Sequence, residues 1–84
     1  MKFDATGLTA PQLRAARVLL GWSAEALAAK AHVGVATIRR AELCRELTDM
    51  KPETAEKVVK TLEKAGVMFW AADRQGGPGV RLRR

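Results

Sequence analysis

The chain has 84 residues, and 48% of them are hydrophobic, which allows one small core and excludes a disordered tail. Fifteen Lys and Arg against nine Asp and Glu leave a formal charge of +6, which fits a polyanionic partner, nucleic acid foremost. No apolar run approaches the roughly 20 residues that span a bilayer, no signal-peptide core follows Lys2, and the single cysteine, Cys44, cannot close an internal disulfide, so a cytoplasmic setting is expected.

Residues 1–7 have no helical period. Lys2-Phe3-Asp4 reads either as a short edge strand or as a tether that tucks Phe3 onto the core. A first helix then opens with Thr9 and Gln12 spaced as a capping box, Leu8 placed to staple onto Leu13, and Pro11 in the first turn, where no backbone N–H is missed. Leu13, Ala16, Val18, Leu19 and Leu20 give it a broad apolar face, Arg14 and Arg17 lie on its polar side, and Gly21 ends it.

A second helix repeats the grammar, with Ser23 as N-cap, Trp22 stapling to Leu27, and Glu25 at the positive end of the helix dipole. It is expected to run to about Ala31. His32 sits in the turn that follows, a structural residue able to tolerate positive φ, with no second ligand type nearby to suggest a metal site. Ser23–Leu43 as a whole reads as two short helices joined by a tight turn, with the small residues Ala28 and Ala31 letting them cross closely.

The third helix starts near Gly34, with Val33 able to staple to Ile38. Ile38 and Ala41 face the core, so Ala36, Arg39 and Arg40 face outward and Val35 lies near the edge. Residues 43–51 form a connector in which Leu47 and Met50 are expected to anchor the loop to the core and Arg45 is the candidate for a phosphate contact. Cys44 there reads as a semi-buried, inert thiol. A fourth helix begins near Pro52. Ala55, Val58, Val59, Leu62 and Ala65 form its apolar face, Glu53–Lys57 and Glu56–Lys60 are favourable i, i+4 pairs, and Gly66 stops it.

Residues 67–84 change character, with a β-prone VMFWAA run, a turn-rich ADRQGGPG and an alternating VRLRR. The expectation is a β-hairpin with Val67, Phe69 and Ala71 on one face opposite Val80 and Leu82. A hairpin alone is marginal in water, so it needs a helix face or a second subunit to lie on. Met68, Phe69 and Trp70 in a row exceed what so short a chain can bury, and make this stretch the candidate surface of a homodimer. Arg74, Arg81, Arg83 and Arg84 form a basic tail, either solvated or within reach of DNA.

Leu27-Ala28, Ala31, Val33, Ile38 and Glu42, with Gly21 closing the preceding helix, stand at the spacing of the Cro/C1 (XRE) helix-turn-helix, and the chain resembles that family from about Leu8 to about Val67. The resemblance implies a mainly α fold, a lambda-repressor-like four-helix bundle, here with a C-terminal β-hairpin added. One helix-turn-helix domain would span 1–84, as an arm (1–7), a bundle (8–66), and a hairpin with its basic tail (67–84). It implies double-stranded DNA as partner, with the third helix in the major groove and Val35, Ala36, Thr37, Arg39 and Arg40 reading bases. Arg14, Arg17, Ser23 and Arg45 would contact phosphates, and Arg17 and Glu42 would form a structural ion pair. Three positions depart from the family's habit: Ala24 where Gln is usual, His32 where Gly is usual, and Ala41 where a bulky residue is frequent.

The function this implies is a sequence-specific transcriptional regulator, a homodimeric repressor of an inverted-repeat operator of the sort found in mobile elements and phage-like systems, without a cofactor. The alternative is a helix-turn-helix repurposed as a protein-binding adaptor or an antitoxin-like partner of a regulatory protein. RNA is disfavoured, because no aromatic RNP-like motif is present. One His, no Tyr and no nucleophile–base pair leave little with which to do enzyme chemistry.

Overall fold

Capping residues decide where the helices of this protein begin. In the computed structural model, which describes residues 2–83, four helices are followed by two strands: α1 (Ala10–Leu19), α2 (Ala24–Ala31), α3 (Val35–Leu43), α4 (Pro52–Lys64), β1 (Val67–Trp70) and β2 (Gly79–Leu82). The Thr9 hydroxyl accepts the Gln12 amide at 3.2 Å and Gln12 Oε1 accepts the Thr9 amide at 3.0 Å, completing the box that starts α1. Ser23 Oγ accepts the Ala26 amide at 3.0 Å and starts α2. The chain leaves α1 through Gly21 (φ 69°) and α4 through Gly66 (φ 109°), both left-handed positions that glycine adopts without a Cβ penalty. His32 takes the same role after α2, at φ 60° and ψ 45°.

The N-terminal segment is a tether and not an edge strand. Phe3 is half-buried and its ring stacks on Phe69, with centroids 5.1 Å apart. A 3-10 turn at Ala5–Gly7, for which the sequence offers no period, follows because Asp4 Oδ1 accepts both the hydroxyl and the amide of Thr6. Those two bonds, the hydroxyl first, hold the exposed Asp4 carboxyl below its ordinary pKa.

The core is built from Leu8, Leu13, Leu27, Ile38, Val58, Leu62 and Val67, each worth about 1.5–3 kcal/mol on burial. Ala16, Ala28, Ala31, Ala41 and Ala55 fill the gaps between them and let the helices approach closely. Several apolar residues expected inside are not. Val18 and Leu19 are 67% and 44% exposed, because one helix stripe spaced by three and four residues takes Leu13, Ala16 and Leu20 and leaves these two off it. Ala65 is exposed because α4 ends at Lys64. Leu47 is exposed too, since backbone anchors the connector: the Ala10 amide donates to the Glu46 carbonyl at 2.7 Å and the Thr48 amide to the Leu8 carbonyl at 3.1 Å. Met50 does pack against the core.

The two strands pair antiparallel with Val67 opposite Leu82 and Phe69 opposite Val80, so these four share the inner face, as their alternation requires. Ala71 lies past the end of β1 and is exposed. The hairpin rests on its own chain, β2 along α1 and β1 along α4. Its turn end is pinned by Gln12, which is 2% exposed and donates from Nε2 to the carbonyls of Trp70 (2.7 Å) and Gly79 (3.1 Å), the pair that flanks the connecting loop. No helix among the described residues is long and apolar enough to cross a membrane.

Candidate nucleic-acid interface

The outward side of α3 follows from its inward one. Ile38 and Ala41 are fully buried, so Ala36, Arg39 and Arg40 are exposed, with Val35 and Thr37 half-buried at the margins. The first turn therefore carries only small or short side chains, and no side chain caps it, since Gly34 is the N-cap. A surface of this kind can come close to another molecule's edge before any side chain intervenes.

The two arginines of α3 differ in setting. The Arg39 guanidinium donates through Nη2 to Glu25 Oε2 at the start of α2, and both side chains are more than half exposed. Such an exposed pair contributes at most about 1 kcal/mol, and a competing anion can open it. The Arg40 guanidinium has no hydrogen-bond or ion-pair partner among the described residues. Its position leaves all five N–H donors available.

At the other end of α3, α1 supplies two cations. Arg17 donates from Nε to Glu42 Oε2 at 2.7 Å and from Nη2 to Oε1 at 2.9 Å, and a third bond runs from Nη1 to the Trp22 carbonyl at 2.9 Å. This fork ties α1, the turn after it and α3 together. The hydrogen bonds to Glu42 raise the Arg17 pKa further above the range in which proteins titrate, so the pair stays charged. Arg14 donates to the Glu42 carbonyl, placing a cation at the negative end of α3. Ser23 is occupied as the α2 cap, and Arg45 is exposed on the connector.

Arg14, Arg17, Arg39 and Arg40 thus gather around α3, with Ser23 and Glu25 at the start of α2. Met68, Phe69 and Trp70 lie elsewhere, on the hairpin. Phe69 turns inward onto Phe3 and the core. Met68 is half-buried, and Trp70, 41% exposed, has the Arg81 guanidinium carbon 5.0 Å above its ring. Of the three departures from the family's habit, Ala24 packs partly against the core, Ala41 is fully buried, and His32 is the left-handed cap.

Two contacts of consequence gave no signal in the sequence. Glu25 meets Arg39 only because α2 and α3 cross, a neighbourhood that 14 residues of separation does not reveal. Gln12 was legible as a capping residue through its carbonyl oxygen, while its amide nitrogen reaches a hairpin 58 residues onward.

A helix-turn-helix family model matches residues 13–65, from within α1 to the end of α4. Neither a curated protein nor a solved structure matches the chain.

Proposed function

The chain belongs to the Cro/C1-type (XRE) family of helix-turn-helix DNA-binding regulators, and we propose that it is a dimeric, cytoplasmic repressor that recognises an inverted-repeat operator through α3. The observation that carries this reading is the face of α3 itself: an unpartnered Arg40 beside a first turn of small residues. Arg40 pairs bidentately with guanine O6 and N7, and Val35, Ala36 and the Thr37 methyl pack on thymine methyl groups. Arg39 takes either a base edge or a phosphate once DNA competes with Glu25. Arg14, Arg17, Ser23 and Arg45 contact phosphates and fix the register of the domain on the duplex.

A second copy joins through the outer face of the hairpin, where Trp70 is exposed and Met68 half-exposed, and so sets two copies of α3 about 34 Å apart. Selection from a pool of random duplexes tests the proposal. The expected outcome is one enriched sequence with two half-sites in inverted order, one helical turn apart. Recovery of no preferred sequence, or of a single half-site, would count against it.

A further inference from the structure

The charged residues that line one groove of the molecule are all cations, and none of them belongs to α3. Lys30 in the last turn of α2 and Lys57, Lys60 and Lys64 on α4 line an open groove, with Trp22 and Ala65 contributing apolar surface. The three α4 lysines recur at i, i+3 and i+7, which makes them one stripe. Among the described residues no carboxylate lines the groove and none of these lysines is ion-paired. Glu56 and Glu63 of the same helix line a neighbouring groove beside Phe3, and Lys60 borders both grooves. The groove runs between α2 and α4, and no residue of α3 lines it.

We propose that the groove docks an acidic amphipathic segment of a partner protein, with carboxylates toward the lysines and apolar side chains on Trp22 and Ala65. Charge complementarity requires an anionic occupant, and two features favour a polypeptide over a nucleic acid. The groove has lysines and no arginine, the residue whose fork matches phosphate geometry. Its apolar surface suits side chains and has nothing to offer a sugar–phosphate backbone.

The probe is a labelled helical peptide with Glu along one face and Leu along the other, titrated against the intact chain by fluorescence anisotropy. Polyglutamate of equal charge and a random-sequence duplex serve as competitors. The peptide is expected to bind about tenfold or more tightly than polyglutamate, and to lose about tenfold with Lys57→Glu and Lys64→Glu together. Both sites are exposed, and Lys57→Gln with Lys64→Gln supplies a milder version if the reversal unsettles α4. DNA binding through α3 is measured in parallel and is expected to persist in these variants, so failure of either proposal is visible without the other. Equal affinity for peptide and polyglutamate would overturn the inference, as would preferential capture of the duplex that the same substitutions abolish.

Discussion

Arg17 shows how much one side chain can hold together in so short a chain. Its guanidinium bridges three segments, and the pair with Glu42 is only 20% and 11% exposed at its two side chains. Removing either partner strands the other in a poorly solvated place, at an expected cost of about 2–3 kcal/mol, somewhat less than for a fully buried pair. A double-mutant cycle with Arg17→Ala and Glu42→Ala, read by urea unfolding, should show a clear coupling energy; simple additivity would remove the pair from the account. The pairing was legible only through the family resemblance, because nothing in residue spacing connects positions 25 apart. His32 was legible from chemistry alone. It holds φ at 60°, where glycine is unstrained, so His32→Gly is expected to stabilise the fold by up to about 1 kcal/mol. A loss of stability would mean that the imidazole makes a contribution beyond its backbone.

At the scale of elements, Gln12 joins two structures that the sequence presents separately. Thr9→Ala removes the cap bond to the residue 12 amide, whereas Gln12→Ala keeps that bond and removes the reciprocal one from the Thr9 amide together with both bonds to the hairpin carbonyls. The first is expected to cost about 1 kcal/mol and the second about 1–3 kcal/mol more, with hydrogen exchange in residues 67–82 accelerating selectively in Gln12→Ala. Uniform acceleration in both variants would contradict a docking role. The helices, their caps and the inward facing of Val67, Phe69, Val80 and Leu82 were readable because capping boxes, glycine stops and two-residue alternation act locally. Which apolar residues stay outside was not. Val18 and Leu19 satisfy hydrophobicity but not the angular position that a ten-residue helix offers its core, and Leu47 gave way to a backbone anchor. Phe69 was expected at an interface between copies, yet Phe3 covers it within the chain.

For the whole molecule, that covering changes how a dimer is to be tested. Val67 is buried and Phe69 packs on the core, so deleting residues 67–84 would strip the bundle as well as any contact between copies. Trp70→Ser touches the outer face alone and is expected to shift the chain toward monomer in analytical ultracentrifugation without lowering its helix content. An unchanged sedimentation coefficient would move the interface off the hairpin. The charge of +6 adds a long-range attraction to DNA that is independent of sequence, so affinity by itself cannot report recognition by α3.

The most direct measurement is therefore a salt titration of binding to the selected operator and to random duplex, for the native chain and for Arg40→Ala. The native chain should show a steep salt dependence on both duplexes and a clear preference for the operator. Arg40→Ala should lose about 1–3 kcal/mol of that preference per half-site while binding random duplex nearly as before. An operator preference untouched by Arg40→Ala, or an equal loss on both duplexes, would contradict base reading by α3.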